Sequence, residues 1–256
     1  MKVSFILGTR NDGYGGSCPG LGDYTMRRLE LTCESIARLG LDSETIVVEW
    51  CPEEHSIPQS INAAVVTVPS EANDILNDDG QNKISYYEYV AKKIGVLRSS
   101  GDILCLCNPD NIFPSNGMAE AIEMATRGHV ALAVRKDIHR EYCLTSCETI
   151  LQLINDGKVD VFRKFETAGG DFTMISRDNY MSLGGYPLCH GAWDVDNWFI
   201  RHANACGVPS ARVYTHFHID HDHSTTEVAG RPKGSVDTYK PISREAWNKV
   251  RELACA

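Results

Sequence analysis

Four histidines fall within nine residues of one another, in the run Thr215-His216-Phe217-His218-Ile219-Asp220-His221-Asp222-His223. Imidazole nitrogens beside a carboxylate are the donors that hold divalent cations. Read as a strand, the run sets His216, His218 and Asp220 on one face and Phe217 and Ile219 on the other. His221 closes on the same ion if the chain turns after the strand. A metal site is the expectation, against the alternative of a solvated polar face. A second cluster, Asn108-Pro109-Asp110, ends the apolar run Ile103-Leu104-Cys105-Leu106-Cys107. Pro109 stiffens that turn and holds the Asp110 carboxylate at the strand end, where a hard-cation ligand would bridge to phosphate oxygens. Capping of the turn is its plainer role. A third, Trp193-Asp194-Val195-Asp196, opens a helical pattern, and one of its two acids is expected to cap that helix.

These groups need a scaffold to bring them together. Val3-Ser4-Phe5-Ile6-Leu7 reads as a strand covered on both faces, rather than as a signal peptide, because its apolar run is short and Thr9-Arg10-Asn11-Asp12 follows at once. Thr45–Trp50, Ala64–Val68 and Asp102–Cys107 read as further buried strands. Apolar positions at helical spacing separate them, from Met26 to Leu39 before Gly40, and from Ile84 to Leu97 before Gly101. Strands alternating with helices imply right-handed crossovers and a mostly parallel α/β sheet. The second half predicts helices over 117–126, 148–155, 178–183 and 197–206, and strands over 129–134, 171–175 and 211–219. In a doubly wound sheet, ligands bind at the carboxyl ends of the strands. Thr9-Arg10-Asn11-Asp12, Glu49 and Asn108-Pro109-Asp110 all sit at such ends, and their convergence points to a site. One domain is expected over 1–256, with a Rossmann-like nucleotide-binding half (1–107), a smaller mixed metal and acceptor half (108–223), and a tail and helix (224–256).

The sequence resembles the GT-A fold nucleotide-sugar glycosyltransferases, in particular the large family 2 group. The block from Tyr89-Val90-Ala91-Lys92-Lys93-Ile94-Gly95 to Gly101-Asp102-Ile103-Leu104 looks like that family's helix-then-strand block, which runs into a DxD-type metal motif. Here the motif reads Asn108-Pro109-Asp110, so the first acid is missing and Asp110 fits the second, metal-binding place. By the same resemblance, Thr9, Arg10, Asn11 and Glu49 match the places that hold base and ribose. Gly169-Gly170-Asp171-Phe172-Thr173, followed by Leu183-Gly184-Gly185-Tyr186, resembles the segment beneath the donor sugar. Late histidines often complete the metal site in these enzymes, which implies His218 and His221 as ligands beside Asp110, with His216 as a further candidate. An acidic pair at a helix start supplies the general base of inverting members, which implies Asp194 or Asp196. A carboxylate at a helix N-terminus stays ionised and can take a proton from an acceptor hydroxyl. Trp193 matches either a sugar-stacking or a core position. The likeness covers roughly residues 3 to 223.

The resemblance implies a divalent metal, Mn²⁺ or Mg²⁺, a nucleotide-diphosphate sugar donor, and a glycan or other hydroxyl acceptor. Gly13, Gly15, Gly16, Gly20 and Gly22 would then form a loop able to close over the donor, and the tail with Arg231, Lys233 and Lys240 would cover the donor or pack on the core. Composition narrows the classes further. A formal net charge of −9 speaks against a nucleic-acid polymer, and the absence of any long apolar stretch speaks against a membrane span. Ten cysteines without a compact framework or a CxxC pair read as reduced, buried small hydrophobes in a cytoplasmic protein. Two other classes compete. His216-Phe217-His218-Ile219-Asp220-His221 matches the HxHxDH pattern of metallo-β-lactamase-like zinc hydrolases, although no histidine follows His223. Asn108, in place of the first acid, keeps open a non-catalytic nucleotide-sugar-binding protein.

Overall fold

The computed structural model describes the chain except residues 11–15, 17, 19, 22, 53–56, 58–60, 82–83, 167–168, 192–193, 222–238 and 256. Strands β1 (Val3–Thr9), β2 (Ser43–Trp50), β3 (Ala64–Val68) and β4 (Ile103–Cys107) lie parallel in the order β3-β2-β1-β4. β1 and β4 are buried along their whole length, and so their sequences are nearly unbroken apolar runs. Past β4 the sheet continues into β8 (Phe172–Ser176), antiparallel to both neighbours, and then into β6 (Val130–Ile138). β9 (Ser210–Ile219) runs parallel to β6; the short β5 (Asn111–Ile112) pairs with β9, and β7 (Val161–Phe165) pairs with β6. One sheet thus crosses both halves expected from the sequence, parallel throughout the first and mixed in the second.

Helices cover both faces. Ile6 faces the core shared by α2 (Ser70–Gly80), α3 (Glu88–Arg98), α6 (Arg177–Ser182), α7 (Val195–Ala205) and the C-terminal α8 (Arg244–Cys255). Its neighbours Phe5 and Leu7 point the other way, against α1 (Tyr24–Ala37) and α4 (Met118–Thr126). A smaller core joins α1 to α5 (Cys147–Asn155) through Leu31, Cys147 and Ile150. α3 lies so close to the sheet that a Cβ on Gly95 would stand 2.5 Å from Ile6 Cγ2 and 3.1 Å from Val48 Cγ2. Glycine at that position is a packing requirement.

The expected elements are present, and besides the short β5 and a 3₁₀ turn over Arg140–Leu144, three departures stand out. α2 is not anticipated by the sequence because it buries only Ala72 and Leu76, too thin a stripe to read as a helix. Polar contacts hold it instead: Trp50 Nε1 donates to Asn73 Oδ1 at 3.1 Å, and the Asn73 and Asn77 amides donate to the Ile84 carbonyl at 3.0 and 3.1 Å. β7 is an edge strand with mostly exposed side chains and no apolar alternation. β6 continues four residues past the expected end at Val134, because Arg135, Lys136 and Asp137 pair with β7 on one side and β9 on the other. Nine described cysteines are free and seven of them are buried, as the sequence implied. Among the described residues no helix is long and apolar enough to cross a membrane. Gly13, Gly15, Gly22, Arg231 and Lys233 lie outside the described residues, and with them the lid and tail-covering expectations.

Candidate metal and nucleotide site

The carboxyl ends of β1, β4, β6 and β9 and the start of β8 meet at one edge of the sheet. They open onto a cleft of about 710 Å³, its mouth included, lined by Thr9, Arg10, Asn108, Asp110, Asp171, His218 and His221 among others. Seven residues expected at the site from the sequence therefore share one cavity.

At its floor Asp110, His218 and His221 are all buried, and one ligand atom from each lies within 4.8 Å of the others. The Asp110 Oδ2 atom stands 3.1 Å from His221 Nε2 and 3.7 Å from His218 Nε2. Local chain geometry produces this convergence. Asn111 in β5 pairs with His218 in β9, which sets Asp110 beside the strand end. The Ile219 N–H then donates to the Asp110 carbonyl and the Asp220 N–H to the Ile138 carbonyl, both at 2.9 Å, while Tyr24 Oη of α1 donates to the Asp220 carbonyl. The strand ends there, the chain turns, and His221 folds back onto Asp110. Burial opposes ionisation of Asp110, yet His218 and His221 hold its carboxyl well below the usual range. The donor set fits a divalent cation: one carboxylate, two imidazoles, and a buried Asp110 Oδ1 that lacks a hydrogen-bond partner among the described residues.

Sequence reasoning missed the groups that surround this floor. Arg28 of α1, 3% exposed, places Nη1 3.4 Å from Asp110 Oδ2. Arg135 Nε donates to Asp137 Oδ1 at 2.5 Å and Nη1 to Asp171 Oδ2 at 3.0 Å. Asp137 Oδ1 in turn lies 3.3 Å from His218 Nδ1, a second carboxylate beside that imidazole. Burial disfavours the charged form of Asp171, but Arg135 pulls its carboxyl below the ordinary value. The signal for Arg135 and Asp137 was the length of β6, hidden by its polar end. Arg28 carried none, since an arginine on an amphipathic helix reads as surface.

Other expected residues stand apart. His216 is fully buried, its ring centroid 6.2 Å from Phe113 and 6.3 Å from Phe172, and burial lowers it to about 4. Neither ring nitrogen has a hydrogen-bond partner among the described residues, so His216 is a neutral core residue two positions below the site. That placement corrects its candidacy as a ligand, and it breaks up the HxHxDH pattern, whose Asp220 faces Arg140 at 3.7 Å. Glu49 is buried at the end of β2, in register with Thr9, but does not line the cleft. Asp194 occupies the N-cap position of α7 with φ 62°, but its side chain makes no bond to the helix backbone and accepts instead from Asn197 Nδ2 at 3.0 Å and Arg201 Nη2 at 3.1 Å. Asp196 turns inward and accepts from Tyr89 Oη at 3.2 Å; its Oδ2 would lie 3.6 Å from a Cβ on Gly170, next to Asp171. Asn11, Trp193, Asp222 and His223 lie outside the described residues.

No protein-family model and no curated protein matches the chain. Solved structures similar to it include glucosyl-3-phosphoglycerate synthase from Mycobacterium tuberculosis in complex with Mg²⁺ and uridine-diphosphate, at 13% identity and TM-score 0.46, covering 86% of this chain and 72% of that one. The same enzyme in complex with Mn²⁺, UDP-glucose and phosphoglyceric acid is similar at 15% identity and TM-score 0.47, covering 95% and 88%. Likeness at this identity assigns no substrate and no residue role to the chain.

Proposed function

We propose that the chain is a metal-dependent glycosyltransferase that moves a hexose or related sugar from a nucleotide-diphosphate sugar to an acceptor hydroxyl, with inversion. The observation that carries the reading is the buried Asp110–His218–His221 group on the floor of a cleft at the carboxyl ends of the strands. Asp110, His218 and His221 would hold Mn²⁺ or Mg²⁺, which when bound supplies Lewis-acid neutralisation of charge on the leaving diphosphate. Arg10, Arg28 and Arg135 line the same cleft and bring positive charge to it in a chain of net charge −9. Thr9 and Arg10, at the end of β1, line the cleft where the nucleotide would lie, Asn11 follows them in the sequence, and Glu49 stands beside Thr9 at the end of β2. Asp171 has both oxygens committed, to Asn108 and Arg135, and so positions rather than reacts.

Asp196 is the better placed base of the acidic pair. It takes the acceptor proton while the acceptor oxygen bonds to the anomeric carbon and the carbon–diphosphate bond breaks, its electrons leaving with the nucleotide. We place its work in the cytoplasm, a compartment in which buried thiols stay reduced. Titrating the protein with UDP-, GDP- and dTDP-sugars with and without Mn²⁺, followed by thermal unfolding and product analysis, tests the reading. Stabilisation by one nucleotide class only with metal, and transfer to a hydroxyl acceptor, is the expected result. Stabilisation without turnover on any acceptor would favour a binding protein, and tightly held zinc with ester or lactam cleavage would favour a hydrolase.

A further inference from the structure

Lys92 of α3 is fully buried, and its ammonium directs three hydrogen bonds: to Glu88 Oε1 at 2.6 Å, Asn108 Oδ1 at 2.7 Å and the Gly170 carbonyl at 2.7 Å. Asn108 passes the contact on, since its Nδ2 donates to Asp171 Oδ1 at 2.8 Å, and Asp171 Oδ2 accepts from Arg135. The Asn111 amide braces the same joint by donating to the backbone carbonyls of Asn108 and Asp171. Residue 108 thus faces a cation on one side and a carboxylate on the other. An amide offers an acceptor to the first and a donor to the second, and an ionised carboxylate offers no donor. We infer that Lys92 is a positioning residue of the cleft, acting through Asn108, and that Asn108 is an amide bridge fixing Asp171 and Arg135 rather than a weakened acid beside the metal.

The consequence runs against the resemblance to a DxD motif. Asn108→Asp, which would restore the first acid, sets two carboxylate oxygens against each other where a 2.8 Å bond now stands. Asp171→Asn leaves a single acceptor oxygen facing two donors, from Asn108 and Arg135. The exchange Asn108→Asp with Asp171→Asn satisfies every partner again. The carboxylate now at position 108 accepts from Lys92 and from the amide now at position 171, whose own oxygen accepts from Arg135. This inference rests on the proposed donor cleft only for its ligand measurement. Urea unfolding of the ligand-free wild type, both single variants and the exchange is the first readout. The exchange is expected to be more stable than the two singles added together.

The second readout is binding of UDP and GDP with Mn²⁺. Each single variant is expected to weaken the nucleotide that binds about tenfold or more, and the exchange to return within about threefold of wild type. A Lys92→Met background is expected to abolish the rescue, since the carboxylate at position 108 then lacks its counter-charge. Strictly additive singles, or tighter nucleotide binding by Asn108→Asp alone, would overturn the inference. If the wild type binds neither nucleotide, the proposed function fails, while the unfolding cycle still decides the bridge.

Discussion

The end of β4 and the start of α7 both present aspartates, but the two regions treat them in opposite ways. Asp110 is 6% exposed, shares one oxygen with two imidazoles and Arg28, and keeps the other buried without a hydrogen-bond partner among the described residues. Asp194 has a side chain 35% exposed and spends it on Asn197 and Arg201 of its own helix. Asp196, two residues on, leaves that surface for Tyr89 and the Gly169–Gly170 backbone. Acids are common at strand ends and helix starts. Asp110 differs from Asp194 in being buried against groups that its own element does not supply.

The largest effect expected from that contrast is at Asp110. Asp110→Asn keeps the shape and removes the charge, and calorimetric titration is expected to show metal-supported nucleotide binding weakened about a hundredfold or more. An unchanged affinity would break the contrast. Next is Asp196→Asn, for which turnover is expected to fall about 10²- to 10⁴-fold with nucleotide affinity intact. Asp194→Asn, by comparison, is expected to leave turnover alone and to cost less than about 1 kcal/mol of stability by thermal melting, since it weakens only a half-exposed ion pair with Arg201. The reverse outcome would move the base to Asp194.

A smaller effect is expected at His216. His216→Leu buries no unbonded imidazole and is expected to change unfolding free energy by less than about 1.5 kcal/mol, with metal-supported nucleotide binding unaltered. A loss of metal binding would return His216 to the site. The smallest concerns Glu44, far from both regions. Burial opposes its charge, but hydrogen bonds from Lys2, the Ser100 backbone and Ser4 bring it down to about 2 from an ordinary 4.5. A carboxylate lowered on folding contributes stability above its unfolded value, and that contribution fades as pH falls from about 4.5 towards 2. The stability difference between wild type and Glu44→Gln, measured across that window, is expected to shrink with acidification and to stay constant above it.

Much of this architecture can be read in the residues, for physical reasons that also mark where reading stops. Strands buried on both faces write themselves as apolar runs, so β1, β2 and β4 and the polar residues at their ends were legible. His218 and His221 were legible through their spacing around a strand end. The strand's face assignment put His216 and His218 together, as is found, but alternation says nothing of depth, and the lower of the two falls among Phe113 and Phe172. Arg28, Lys92, Arg135 and Asp137 were invisible because charged side chains read as solvated until a fold encloses them. α2 escaped for the same reason, held by asparagines rather than an apolar stripe.

On the proposed function, Asp110, His218 and His221 hold a cation against a nucleotide's phosphates. Pulsed electron paramagnetic resonance of Mn²⁺ bound with UDP or GDP reads this directly. The expected spectrum carries nitrogen couplings from two imidazoles and phosphorus couplings from the diphosphate on one ion, with the nitrogen couplings reduced in His218→Gln and in His221→Gln. Phosphorus couplings without nitrogen, or nitrogen couplings that survive both substitutions, would contradict it.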